Sequence, residues 1–295
     1  MSELKTVSVE DAGFCFGVRR ALKLAEEATE RYAEVACLGP LIHNRQVVEG
    51  LERRGMRFVE DIGEVEPGAT AMIRAHGAGP QVYQDAAARR IKLMDATCPF
   101  VRRVQQAAAQ FVEEQYQVFV LGEPDHPEAR AIVEHAGGQA LIVEGASDLA
   151  GTQIADRVAV VCQTTQHLDK LQELVAALLP QTRELRVTNT ICDATSKRQE
   201  ASLRLAVDVD LMIVIGGYHS ANTTRLAQIC AATGTPTKHI ETADELCQEW
   251  LRGVKVVGLT AGASTPDEAI EAVRERLGTL SAGATGGDAD AENPR

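Results

Sequence analysis

One segment occurs three times along the chain, and each copy begins with a cysteine. The copies read CFGVRRALKLAEEA from Cys15, CPFVRRVQQAAAQFVEE from Cys98 and CDATSKRQEASLRLA from Cys192. In each copy a basic pair follows the cysteine, and Ala, Leu and Glu or Gln then recur at helical spacing. Such self-similarity indicates that one supersecondary unit has been repeated. The residues directly after the cysteines suit a first helical turn, so all three thiols are predicted at helix starts.

Short apolar runs follow each predicted helix and are typical of buried strands. The first run of each repeat, AEVACLG, QVFVLG or LMIVIGG, ends in glycine and leads into a polar loop. At one constant offset from the three cysteines stand His43, His126 and Ser220. A later run, ATAMIRAHG, VAVVCQTTQ or VKVVGLTAGAS, ends with another polar group, which is His76, Thr164 or Ser264. Polar side chains therefore recur just beyond equivalent strand ends.

Strands that alternate with helices predict parallel sheets, and ligands of open α/β sheets bind outside the carboxyl ends of the strands. We therefore predict an α/β fold of three similar units in a pseudo-threefold, trefoil-like arrangement, with the three cysteines converging at its centre. The predicted units are residues 1–97, 98–191 and 192–280, and the small, acidic segment 281–295 is predicted to be a disordered tail. The alternative is that the repeats preserve core packing positions instead of ligands.

The overall charge and hydropathy argue against two broad classes of partner. A formal net charge of −12 with 4% aromatic residues gives no basic surface for nucleic acid or for an anionic membrane. No apolar run approaches the roughly 20 residues that span a bilayer, and no basic-then-apolar segment opens the chain. We therefore expect a cytoplasmic protein with a small-molecule ligand. Seven cysteines without CxxC spacing indicate reduced thiols or metal ligands more than a disulfide framework.

Three repeated thiols suit an iron–sulfur cluster better than zinc. Structural zinc sites usually take four ligands, often from closely spaced cysteine pairs, whereas a [4Fe-4S] cluster bound by three cysteines keeps one iron open. The candidate ligands are Cys15, Cys98 and Cys192. The other cysteines fall inside apolar or helical runs and are predicted to be small core residues; they are Cys37, Cys162, Cys230 and Cys247.

Glu128 is the candidate acid, because it lies two positions after His126 beside a predicted strand end. A carboxyl group held out of bulk water has a raised pKa and can deliver a proton to a leaving hydroxyl. The alternative is a first-turn glutamate that interacts favourably with the helix dipole. The remaining polar groups suit a multiply charged anion such as a diphosphate; they are His43, His76, His126, Ser220, Asn222 and Ser264.

Several of these residues lie in motifs that occur together in a known family. In order along residues 13–264 the chain carries GFCFGV, HN, AHG, DATCP, HPE, QTT, CDATSKRQ, SAN and TAGAS. With these motifs it resembles the 4-hydroxy-3-methylbut-2-enyl diphosphate reductases of the LytB type, the last enzymes of the non-mevalonate isoprenoid route. The resemblance implies one [4Fe-4S] cluster per chain, bound by the three repeated cysteines. It also implies that the six polar residues above bind the substrate diphosphate and that the catalytic residues are Glu128, Thr164 and His126.

The implied reaction is a reductive dehydroxylation. Two electrons and two protons remove the substrate hydroxyl as water and leave isopentenyl or dimethylallyl diphosphate. The electrons are expected from a ferredoxin or flavodoxin-type donor.

The chain departs from the family pattern in the loop before Asn222. Many members have lysine and asparagine where this chain has Tyr218 and His219, and a serine where it has Ala221. These changes leave two alternatives open. One is a cluster-binding redox sensor, and the other is a reductase of a different phosphorylated hydroxyl compound.

Overall fold

The computed structural model describes residues 4–10 and 12–283, which form alternating strands and helices. The strands are β1 Lys5–Ser8, β2 Val35–Leu38, β3 Met56–Val59, β4 Thr70–Ile73, β5 Lys92–Asp95, β6 Gln117–Leu121, β7 Leu141–Val143, β8 Arg157–Cys162, β9 Glu184–Val187, β10 Leu211–Ile215, β11 Thr237–Ile240 and β12 Val256–Ala261. The helices are α1 Phe16–Arg31, α2 Arg45–Arg53, α3 Pro80–Ala88, α4 Pro99–Glu113, α5 Pro127–His135, α6 Leu168–Leu178, α7 Asp193–Ala206, α8 Ala221–Ala232 and α9 Asp267–Gly283.

The strands form three four-stranded sheets with one common order. The orders are β3-β2-β4-β5, β7-β6-β8-β9 and β11-β10-β12-β1, and every pair of neighbouring strands is parallel. The second strand in each order is the first apolar run of a repeat, and the third strand is the later one. The predicted α/β fold of three similar units is therefore confirmed.

The N-terminal strand β1 completes the third sheet, where it pairs with β12 from Lys5↔Val256 to Ser8↔Leu259. The sequence analysis assigned the residues of β1 to the predicted unit 1–97. By internal contacts the chain forms two compact units, one of residues up to Cys15 together with those from Ser196 onward, and one of Phe16–Thr195. The unit boundaries at 98 and 192 stay a prediction.

Burial explains why the central strands are almost wholly apolar. Side chains of β6 alternate between two cores: Val118 and Val120 pack with α4 and α5 residues, while Phe119 and Leu121 pack with α6 residues. Because both faces of a parallel sheet are covered by helices, such strands read as continuous hydrophobic runs. No helix of the described ranges is both long and apolar enough to cross a membrane.

The C-terminal helix reaches into the segment that was predicted to be a tail. Helix α9 continues to Gly283, so three residues of the predicted disordered segment 281–295 are helical. The remainder of that prediction lies outside the described residues.

Candidate active site

Three histidines cluster beyond the carboxyl ends of β2, β4 and β6. Ring centroids are separated by 4.6 Å between His43 and His76, 5.5 Å between His43 and His126, and 5.2 Å between His76 and His126. One ring nitrogen of each lies within 4.8 Å of the others. Strand ends of two different sheets thus bring together residues far apart in the sequence. Three imidazoles at this spacing can bind an anion through N–H groups or a metal ion through lone pairs.

The surroundings of the histidine cluster disfavour the protonated forms of His76 and His126. Burial, followed by the neighbouring imidazoles His43 and His126, holds the pKa of His76 well below its usual value. Burial and then His43 lower the pKa of His126 to about 3. The Nδ1 of His126 accepts a hydrogen bond from the Glu128 backbone N–H at 3.2 Å. The neutral ring therefore carries its proton on Nε2, which can donate to a ligand.

Glu128 is buried and bonded to a neighbouring strand end. Its two carboxylate oxygens accept hydrogen bonds from the Thr164 backbone N–H at 2.6 Å and the Thr164 hydroxyl at 2.9 Å. Glu128 lies in the first turn of α5, yet it is only 1% exposed. Burial raises its pKa to about 7, against the lowering effect of the two Thr164 donors. A surface glutamate whose only role is a favourable interaction with the helix dipole would not be buried and bonded in this way.

A second group of polar side chains follows β10 and β12. Ser220 caps the N-terminus of α8, and its hydroxyl oxygen accepts a bond from the Ser264 hydroxyl at 3.4 Å. Asn222 is buried, and within the described ranges its side-chain amide has no hydrogen-bond partner. A buried amide with unsatisfied donors and acceptors is costly unless a water or a ligand contacts it. The structure thus brings Ser220, Asn222 and Ser264 together.

Each repeated cysteine is anchored to the end of a strand in the same way. The Cys98 backbone N–H donates to the Ala75 carbonyl and that of Cys192 to the Thr164 carbonyl, both at 2.9 Å. The Cys15 N–H donates to the Ala263 carbonyl at 3.1 Å. The accepting carbonyls follow β4, β8 and β12, which are equivalent strands. As predicted, the three cysteines directly precede helices α1, α4 and α7.

The other cysteines differ in environment, which provides a test of the proposed ligand set. Burial raises the pKa of Cys37 and Cys162 to about 12 and that of Cys230 to about 11, so these thiols stay protonated. The repeated cysteines are all partly exposed and form no disulfide in the described structure. Accessible thiols at helix N-termini fit thiolate ligands of an iron–sulfur cluster. The prediction that Cys247 is a core residue is wrong, because Cys247 is exposed.

Tyr218 restrains the loop in which the chain departs from the family pattern. Its backbone N–H donates to Glu241 at 2.7 Å, and its hydroxyl donates to Glu245. Its ring lies 4.7 Å from that of His239, whose Nε2 contacts the Gly216 carbonyl at 2.8 Å. Tyr218 therefore stabilises the conformation of the loop that leads to Ser220.

The chain is an α/β protein built from three repeated units. Polar side chains and cysteines lie beyond the strand ends of each unit. Within that class the chain belongs to the LytB protein family, whose family model matches residues 7–278.

Two curated relatives illustrate the similarity. The chain is 44% identical over 277 residues to the 4-hydroxy-3-methylbut-2-enyl diphosphate reductase of Citrifermentans bemidjiense, covering 94% of this chain and 98% of that one. It is 41% identical over 279 residues to the reductase of the same name from Syntrophotalea carbinolica, covering 94% and 100%.

Solved structures agree in fold. The E-1-hydroxy-2-methyl-but-2-enyl-4-diphosphate reductase of Plasmodium falciparum superposes with a TM-score of 0.88 at 28% identity, covering 94% of this chain and 88% of that one. An (E)-4-hydroxy-3-methyl-but-2-enyl diphosphate reductase, described as the terminal enzyme of the non-mevalonate pathway, gives a TM-score of 0.68 at 43% identity, covering 93% and 99%.

Proposed function

We propose that this chain removes the hydroxyl group of 4-hydroxy-3-methylbut-2-enyl diphosphate reductively. One substrate molecule, two electrons and two protons give water and either isopentenyl or dimethylallyl diphosphate. The observation that carries the proposal is the hydrogen-bonded pair of buried Glu128 and Thr164. In the sequence, Glu128 follows His126 of the three-histidine cluster by two residues. The site combines a proton donor with an anion site, and the reaction needs both. The names of the relatives support the same substrate.

The residues that would hold the cluster are Cys15, Cys98 and Cys192. Their partial exposure and positions at helix starts support this assignment. When bound, a [4Fe-4S] cluster supplies one-electron redox chemistry and Lewis acidity. The electron donor, expected to be a ferredoxin or flavodoxin, and the cytoplasmic location stay predictions.

Glu128 would supply the proton that leaves with the hydroxyl oxygen. Near neutral pH a pKa of about 7 leaves a substantial fraction of the carboxyl protonated. Transfer of that proton breaks the Glu128 O–H bond, and the carboxylate so formed accepts the two bonds from Thr164. Thr164 therefore orients the acid and stabilises its deprotonated form.

The three histidines would bind the diphosphate. A metal ion is the other occupant that their spacing permits. The positive charge of Arg74 acts on both His76 and His126, where it lowers their pKa values. The same positive potential disfavours a metal cation and favours an anion. For Ser220, Asn222 and Ser264, a role in diphosphate binding stays a prediction.

Diphosphate binding is expected to take up protons. A bound anion favours protonated imidazole and so raises the depressed pKa values of His76 and His126. Calorimetric titration with inorganic diphosphate at pH 7, in buffers of different ionisation enthalpy, should show net proton uptake. Affinity should rise as pH falls towards the lowered pKa values of the free rings. Binding without proton uptake would contradict protonation of these imidazoles on anion binding and would favour neutral rings that donate through N–H groups.

Replacing Thr164 by valine should move the pH profile of turnover. If Glu128 donates a proton, turnover falls as pH rises through about 7. Loss of the Thr164 hydroxyl removes a donor to the carboxylate, raises the pKa of Glu128 and shifts this fall to higher pH. Thr165→Val is a matched control, because the Thr165 hydroxyl accepts from Gln163 and not from Glu128. An unshifted Thr164→Val profile would remove Glu128 as the titrating acid.

Competition binding would test the substrate. Inorganic diphosphate, isopentenyl diphosphate and the hydroxylated substrate should compete for one site, and turnover of the hydroxylated compound should yield both products by mass spectrometry. Binding without turnover by a protein with a full cluster would favour a sensor. Preference for an unrelated phosphorylated alcohol would favour a reductase of another substrate.

A further inference from the structure

Arg74 is a half-buried cation beside the histidine cluster. It follows β4 directly and lies two residues before His76. Its guanidinium packs against Gly39, at the start of the loop that carries His43: a Cβ placed on Gly39 would lie 2.4 Å from Nη1 of Arg74 and 3.0 Å from its Cζ. Gly39 adopts φ +70°, which favours glycine as well. The backbone thus leaves space for this guanidinium.

The charge of Arg74 is poorly compensated within the protein. Burial lowers its pKa, although the charge of Glu60 opposes that effect. Within the part of the chain that the structure describes, its guanidinium makes no hydrogen bond and no ion pair. Its acidic neighbour Glu60 is exposed, and a second arginine, Arg130, repels it. Placing a guanidinium away from water costs free energy unless a counter-charge is present.

We propose that Arg74 is a further anion-binding group of this site, and that its charge helps to hold the substrate diphosphate next to His43, His76 and His126. The inference rests on the proposed diphosphate site. A diphosphate bound at the imidazoles would lie in the field of the guanidinium and would supply the missing counter-charge.

The test measures inorganic diphosphate binding to the anaerobically purified holoprotein by calorimetry. Arg74→Gln should weaken binding by about tenfold or more, and Arg74→Lys should retain most of the affinity because it keeps the charge. Arg57→Gln is the matched control: Arg57 is an exposed arginine on β3 that already pairs with Glu34 at 3.1 Å. Its loss should change the affinity by no more than about twofold.

Two further readouts separate an electrostatic role from a structural one. Arg74→Gln should raise the pKa values of His76 and His126, measured by NMR of labelled histidine, because a repelling charge is removed. Glu60→Gln changes an exposed residue and removes the acidic neighbour of Arg74, so it should tighten diphosphate binding. This variant tests the charge of Arg74 even if Arg74→Gln does not fold.

The outcomes distinguish this inference from the proposed function. Unchanged affinity and histidine pKa values in Arg74→Gln would overturn the role of Arg74, even if the wild type reduces the hydroxylated substrate. Failure of the wild type to bind inorganic diphosphate would overturn it too. Weakened diphosphate binding in Arg74→Gln, with no turnover by the wild type, would support the role of Arg74 and contradict the reductase.

Discussion

Glu128→Gln should retain the proposed iron–sulfur cluster and lower turnover at least about 100-fold, the range expected when a general acid is removed. Glutamine matches the shape of the side chain and can still accept from Thr164, but it cannot donate a carboxylic proton. Inorganic diphosphate affinity should change little. The measurements are turnover, iron content and calorimetric binding on the same preparation.

Glu134→Gln is the matched control for the acid. Glu134 lies near the end of the same helix α5 and is exposed. Its replacement removes a carboxylate from this helix at a position that does not contact Thr164. It should leave turnover within about twofold of wild type. Full activity in Glu128→Gln, or an equal loss in both variants, would contradict the assignment of Glu128 as the acid.

Cys98→Ser and Cys192→Ser should each lose most of the bound iron, and turnover should become undetectable. Removing one of three protein ligands leaves two thiolates for a cluster that usually takes four, and serine is a poor substitute for a soft thiolate ligand. Iron analysis and the visible absorption of anaerobically reconstituted protein would measure the loss directly.

Cys37→Ala separates ligand loss from general destabilisation. Cys37 is fully buried in β2, and its raised pKa keeps the thiol protonated. Its replacement should lower the free energy of unfolding by about 1 kcal/mol but leave iron content unchanged. Iron loss in Cys37→Ala as large as in Cys98→Ser would contradict the proposed ligand set.

The sequence predicted the fold and the histidine cluster because both follow from local patterns. Each apolar run and its following helix recurs three times, so three parallel sheets could be predicted without any knowledge of distant contacts. Parallel strands end at one edge of a sheet, which places polar residues such as His43 and His76 together. The burial of Glu128 also followed from its position beside a strand end.

Features that depend on distant partners were not predictable in this way. Strand β1 is only four residues long, and its partner β12 lies near the other end of the chain. Arg74 stands in the sequence like any charged residue after a strand, and only the folded structure places it against Gly39. The contacts of Tyr218 with Glu241 and Glu245 likewise join residues that no local pattern connects.

The most direct test of the proposed reductase is oxidation of a reduced viologen dye by the anaerobically purified protein. Addition of 4-hydroxy-3-methylbut-2-enyl diphosphate should cause dye oxidation at two electrons per substrate molecule, with isopentenyl and dimethylallyl diphosphates as products. Isopentenyl diphosphate, which lacks the hydroxyl, should cause none. No substrate-dependent oxidation by protein that carries a full cluster would contradict the reductase.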